Sequence, residues 1–338
     1  MGEYRDSWAE FHFISASAKK KLLKKPKYEE AIAEFRQLAQ RMIDEETPEN
    51  AALCHLEIAH IYEKMTNWSL QRKNLLKAGR LFLESQKERA LMQYTVYSDM
   101  KNMLADCYLR AIDITMREGF LISAGVYSVE LGVALMDLGD LKSAYEHLAR
   151  AHRLLQNDYY CHLNASSKLI SVCTHLGKYE EALVLLDDVW ADSMKRQPLS
   201  TLGKQVIVQT EINTVLILLK SQRSADGRHK LLLQSFENDF GKNVDSILSE
   251  YEFTIIKNFL LAIRYKKISI ARQIYAYTLI KMMDKTGQKV ALDILDSLPY
   301  VSADTPLARS SESSSIEDLK NRRRRIVAEI RERMTESL

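Results

Sequence analysis

The pentapeptide Lys-Tyr-Glu-Glu-Ala occurs twice in this chain, at Lys27–Ala31 and at Lys178–Ala182. A looser copy lies between them. Leu138-Gly139-Asp140-Leu141-Lys142-Ser143-Ala144 aligns with Leu176-Gly177-Lys178-Tyr179-Glu180-Glu181-Ala182, 38 residues further on. Such recurrence constrains the fold more than any composition figure. Each copy is one supersecondary unit that cannot bury its apolar face alone, so the units must stack. A stack of this kind builds surfaces for partners rather than catalytic pockets.

The unit is helical. Tyr28, Ala31, Ile32, Phe35, Leu38, Ala39 and Met42 fall at the i, i+3, i+4, i+7 spacing of one buried helix face. Leu141, Ala144, Tyr145, Leu148, Ala151 and Leu155 repeat it, as do Tyr179, Ala182, Leu183, Leu186, Val189 and Trp190. The small Ala31, Ala144 and Ala182 let a neighbouring helix approach. Gly119, Gly139 and Gly177 stand where one helix ends and the next begins, positions that favour a left-handed residue. Thr47-Pro48-Glu49 predicts a capping hydroxyl before a proline at the first helical position. The pattern predicts helices at about 7–24, 28–45, 49–66, 68–89, 93–118, 121–137, 141–156, 159–176, 179–194, 203–220, 228–240, 244–265, 268–285 and 287–297, with a solvated loop at 221–229. The fold class expected is an all-α, tetratricopeptide-like helical-hairpin solenoid wound as a right-handed superhelix.

Only 5 prolines and 11 glycines punctuate 338 residues, which suits long helices. The solenoid should occupy residues 1–298. Beyond it, Pro299, Pro306 and the serines of Ser310–Ser315 predict a flexible linker over 299–315. A basic amphipathic helix is expected over 316–338, with Leu319, Ile326, Ile330 and Met334 on one stripe.

A net charge of +3 is too small to argue for nucleic acid. Residues 1–10 are polar and acidic, unlike a signal peptide. No uncharged run approaches the roughly 18 apolar residues of a spanning helix; the most apolar stretch, Val206–Leu219, is interrupted by Gln209, Thr210 and Glu211. Cys54, Cys107, Cys161 and Cys173 are scattered without CxxC spacing, so a reducing cytoplasmic compartment is expected.

No dinucleotide-binding glycine pattern, phosphate-binding loop, nucleophile elbow or HExxH motif occurs. His55 and His60 lie five apart, about 140° around a helix, and cannot share an ion as an i, i+4 pair can. Cys161 with His162, and Cys173 with His175, read as packed helical residues. Asp187-Asp188 reads as a solvated pair of acids. No catalytic residue, cofactor or metal is expected.

Three charged features remain for binding. Lys19, Lys20, Lys21, Lys24, Lys25 and Lys27 form a basic cluster suited to an acidic partner or an anionic membrane, or simply to a solvated helix end. In Gln234–Thr254, Glu237, Asp239, Asp245, Glu250 and Glu252 outnumber Lys242, which suits a basic partner surface or an ordinary acidic helix pair. The run Arg322, Arg323, Arg324, Arg325 suggests nuclear import, phosphate binding or an acidic docking site, or a salt-bridged amphipathic helix. The apolar stripe Trp8, Phe11, Ser15, Ala18, Leu22 reads as a capping helix.

Leu131-Gly132, Gly139, Ala144, Leu148 and Ala151 resemble a tetratricopeptide hairpin, with Ser128 in place of its early tryptophan. Met65-Thr66-Asn67-Trp68-Ser69 and Ala111–Ile114 through Gly119-Phe120 are similar to the soluble NSF attachment proteins. A more specific resemblance rests on Phe11, Lys19–Lys21, Leu23-Lys24-Lys25-Pro26, Phe35-Arg36-Gln37-Leu38, Ala78-Gly79-Arg80-Leu81-Phe82-Leu83 and the stretch from Leu231 to Leu298. These resemble the family of the forty-kilodalton huntingtin-associated protein, also called the factor VIII intron 22 protein, and are densest over residues 8–90. The proline-rich insertion associated with vertebrate members is absent, and the tail from 299 has no counterpart. The resemblance implies a non-enzymatic subunit held between the helical-repeat lobes of huntingtin as a heterodimer, an obligate one. It also implies a tie to early endosomes, where a Rab-family small GTPase is a further partner, and cytoplasmic and nuclear localisation. It favours the acidic region Glu237–Glu252 as the part facing a basic partner surface. The alternative is an attachment factor engaging SNARE bundles, against which stands the lysine cluster where those proteins carry an apolar membrane loop.

Overall fold

A computed structural model of the chain describes residues 6–18, 27–92, 98–196, 200–221, 227–237 and 246–298. The described residues are all-α. In order they form α1 (Ser7–Ser17), α2 (Tyr28–Asp44), α3 (Pro48–Lys64), α4 (Trp68–Leu91), α5 (Ser98–Arg117), α6 (Leu121–Asp137), α7 (Leu141–Leu154), α8 (Tyr159–His175), α9 (Tyr179–Met194), α10 (Thr201–Ser221), α11 (Gly227–Glu237), α12 (Glu250–Arg264), α13 (Ile268–Ile274), a π turn (Tyr275–Leu279), α14 (Ile280–Met282) and α15 (Lys285–Ser297). From α1 to α10 each helix packs on the next in the chain, the nearest-neighbour pattern of a hairpin stack.

The turns explain the regularity. Six helix ends share one left-handed residue: Glu46, Thr66, Gly119, Gly139, Gly177 and Lys266. At each, the next N–H donates to the carbonyl five residues back, as in Thr47 to Met42, Asn67 to Tyr62, Phe120 to Thr115, Asp140 to Leu135, Lys178 to Cys173 and Lys267 to Ala262, at 2.8–3.0 Å. This is the Schellman closure, which satisfies carbonyls the helix end would otherwise orphan. Glycine is the unstrained choice there, yet half of the six positions are not glycine. The repeated pentapeptide makes the same local structure twice. Lys27 and Lys178 each precede their helix, and their ammonium groups reach Glu30 at 2.7 Å and Glu181 at 3.3 Å. Ala31 and Ala182 are fully buried, as is Ala144.

Packing between hairpins is tightest at small residues. A Cβ on Gly79 would lie 2.8 Å from the ring of Tyr108. Tyr108 is fully buried and donates its hydroxyl to Glu130 at 2.7 Å, while Arg80 reaches the same carboxylate at 2.6 Å. One acid on α6 therefore ties α4 and α5 together.

The regular stack ends at α10. That helix packs on α9, α11 and α15, and α15 returns to touch α8 as well. Between α8, α9, α10 and the start of α15 lies a cavity of about 230 Å³, walled by Ile170, Leu186, Val189 and Val206. Gln209 closes its end, donating to the Met282 carbonyl at 2.6 Å and accepting from the Asp284 N–H at 2.8 Å.

Several local expectations change. Thr47 does not cap α3; its hydroxyl donates backwards to the Met42 carbonyl at 2.9 Å, because the Schellman turn has already brought that oxygen within reach. Residues 246–249 are non-helical, and α12 begins at Glu250 because Ser249 and Glu252 form a reciprocal capping box. The helix expected over 268–285 is interrupted by the π turn and ends at Met282, where Met283 turns extended and Asp284 caps α15 through the Gly287 N–H. α10 is long and apolar enough to cross a membrane by length and composition, contrary to the sequence reading, but 67% of its apolar window is buried inside the protein. The stretches 299–315 and 316–338 lie outside the described residues.

Candidate interaction surface

Two hairpin turns meet on one edge of the stack. Thr66 and Asn67 end α3 and cap α4, with the Asn67 side chain accepting from the Leu70 N–H at 3.2 Å. Glu118–Phe120 joins α5 to α6. Arg72, one helical turn beyond Trp68, bridges the two turns: its guanidinium pairs with Glu118 and lies 6.0 Å from the centre of the Phe120 ring. Trp68 and Phe120 are 43% and 57% exposed, and Met65, Leu121, Ile122 and Val126 are exposed beside them. Apolar side chains of this size, gathered on one edge and ringed by charge, are the composition of an interface centre. Sequence held one signal for it. Phe120-Leu121-Ile122 is a run of three apolar residues at a helix start, where a solvated turn would be polar.

The residues chosen for charge are placed differently. Lys27 is exposed and paired with Glu30; Lys19, Lys20, Lys21, Lys24 and Lys25 lie outside the described residues. In the acidic region Glu252 is turned inward on its own helix end, accepting from the Ser249 N–H at 2.7 Å. Glu250 is exposed in the first turn of α12, and Glu237 is the last residue of α11. Asp239 and Asp245 lie outside the described residues, as do Arg322, Arg323, Arg324 and Arg325. The described part of the chain thus brings together an apolar edge rather than a single charged face.

Asp187 is a correction. It is not simply solvated: it accepts from Arg228 at 2.6 Å and from His229 at 3.1 Å, clamping α11 to α9, while the Arg228 guanidinium stacks 4.5 Å over Trp190. Asp188 keeps an exposed surface, and partial desolvation of its carboxyl, together with Asp192 and Asp187, raises it above the usual range. Among the described residues no group of three or more His, Cys, Asp or Glu is placed to hold a metal ion. Burial pushes the Cys54, Cys107 and Cys173 thiols up to about 12, far from a reactive thiolate at neutral pH. His55 is buried against Asn74 at 3.1 Å, and burial pushes it down to about 4. His152 packs against His162 with tilted rings whose centres are 4.4 Å apart, and burial lowers both, His152 to about 4.

No family model matches the chain. Over 154 residues, 45% of this chain, it is 29% identical to a curated protein of Rattus norvegicus and to one of Mus musculus. Both are named 40-kDa huntingtin-associated protein. The chain is similar to these huntingtin-associated proteins. It spans 40% of the length of each. Among solved structures, the apo form of RapI is similar with a TM-score of 0.31 and 14% identity, covering 80% of this chain and 72% of that one.

Proposed function

We propose that this chain is a non-enzymatic interaction subunit that binds and stabilises huntingtin, seated between its helical-repeat lobes. The observation that carries the reading is the 29% identity over 154 residues to proteins named for association with huntingtin. The exposed edge around Trp68 and Phe120 supplies the physical means, since an obligate interface is apolar at its centre and buries roughly 2,000–5,000 Å² or more. The acidic stretch Glu237–Glu252 and the lysines of 19–27 would act at the rim, where charge sets orientation and rate more than affinity. A cytoplasmic and nuclear pool, an early endosome association and a Rab-family GTPase partner belong to the same reading.

Co-expression tests it. The chain made alone should be poorly soluble and be rescued by huntingtin. A soluble, monomeric chain that melts cooperatively overturns the obligate partnership. A pull-down that recovers SNARE bundles and no huntingtin supports the attachment-factor alternative, for which the segment Met65–Ser69 speaks.

A further inference from the structure

The cavity between α8, α9, α10 and the start of α15 opens where the regular stack stops. Asp284, just ahead of α15, meets Asn213 of α10 across 71 residues of chain. Faces joined over that distance follow no repeat, and a space of about 230 Å³ remains between them. Ile170 of α8, Leu186 and Val189 of α9 and Val206 of α10 give it apolar walls. A dry cavity of about 150 Å³ holds benzene, so this one has room for an aromatic or branched aliphatic group with a short arm. The exposed Ser167 and Gln205 also line it and mark its opening.

One end is not apolar. Asp284 is the one charged side chain among the described residues that line the cavity. Its Oδ1 caps α15 by accepting from the Gly287 N–H at 2.7 Å, and the Asn213 amide donates to its Oδ2 at 3.2 Å. The Asn213 oxygen lies over Gly287, 2.6 Å from where a Cβ would stand, so the amide is packed in place. A carboxylate has about four acceptor positions. Among the described residues no Lys, Arg or His pairs with this one. The helix start beside it carries about half a positive charge, so this end of the cavity stays negative on balance. Thr286 lines the cavity two residues further on. It is 5% exposed, and its hydroxyl makes no hydrogen bond among the described residues. Buried polar groups left without a partner are uncommon.

From this arrangement we infer that the cavity binds a small organic amine. Its aromatic or branched apolar body packs on Ile170, Leu186, Val189 and Val206, and its ammonium donates to the Asp284 carboxylate and the Thr286 hydroxyl oxygen. An alcohol of the same shape meets the hydrogen bonds without the charge, and an acid is repelled. Such a site is independent of the partner proposed above.

Photolabelling of the full chain, alone or in its complex, with para-azidophenethylamine tests it. Peptide mass spectrometry should place the label within α8, α9 or α10. Unlabelled phenethylamine should compete at least tenfold better than phenethyl alcohol, its uncharged analogue. Asp284→Asn keeps a capping oxygen at the start of α15 and should erase that preference. Val206→Phe fills the cavity and should cut labelling at least tenfold. Equal competition by amine and alcohol overturns the inference, as does an amine preference that survives in Asp284→Asn. Label confined to other surfaces, or undiminished by Val206→Phe, overturns it too.

Discussion

Gly132 on α6 lies so near Leu148 on α7 that a Cβ there would sit 2.5 Å from the Leu148 Cγ. Both are buried, and the carbonyl of Ala144 is 3.4 Å from the same point. The two helices of this hairpin are therefore set by the absence of a side chain. Gly132→Val should destabilise the protein by about 2 kcal/mol, since an overpacked core costs roughly 1–3 kcal/mol. A denaturant titration checks this through its midpoint. An unchanged midpoint would mean that α6 and α7 part without cost.

The six left-handed turn residues give a paired prediction. Gly139→Ala and Gly177→Ala meet no atoms within 4 Å, so any loss comes from backbone strain alone, about 1 kcal/mol each. Thr66 already bears that strain at φ 54°, with a β-branched side chain. Thr66→Gly should raise the melting midpoint while both alanine variants lower it. Three shifts of the same sign would contradict the strain account.

Stability should fall with acid. His55 and His152 are held near 4 by burial, below their unfolded value of about 6.5. Each contributes stability that is complete above pH 6.5 and is lost as pH falls toward 4, roughly 3 kcal/mol for the buried His55. Melting curves at pH 7 and pH 5 should differ, and His55→Gln should flatten the dependence. An undiminished slope in the His55→Gln/His152→Asn double variant would place the titration elsewhere.

The apolar edge should matter to binding and not to folding. Phe120→Asp and Trp68→Asp replace half-exposed side chains, and surface changes of this kind usually stay within about 0.5 kcal/mol of stability. Truncating a central interface aromatic costs about 2 kcal/mol or more of affinity, a loss of about 30-fold. Surface plasmon resonance against huntingtin reads it. Full affinity in both variants would move the interface to another face.

The stripes of α2, α7 and α9 and the glycines at 119, 139 and 177 could be read in advance because each is a local rule. A 3.6-residue period fixes which face is buried, and a left-handed residue fixes where a helix stops. The same locality misled at Thr47, whose hydroxyl had a competing acceptor five residues back. It misled again at Asp187, because Arg228 and His229 reach it from forty-odd residues away and leave no trace in the spacing around it. The lysines and acids drew attention as runs of like charge, while the apolar edge went unmarked. Phe120 is distant in sequence from Met65 and Trp68, and only the side-by-side turns bridged by Arg72 make them one surface.

Sequence alone determined that this chain is helical, that its helices pair as repeated hairpins, and that small residues set their approach, because backbone geometry and burial period act over a few residues. Tertiary structure decided that α15 folds back on α10 and α8, that the apolar α10 lies within the protein, and that two turns share an exposed edge. Those outcomes depend on which faces meet, and a face finds its partner by burying area across the fold rather than by anything written beside it.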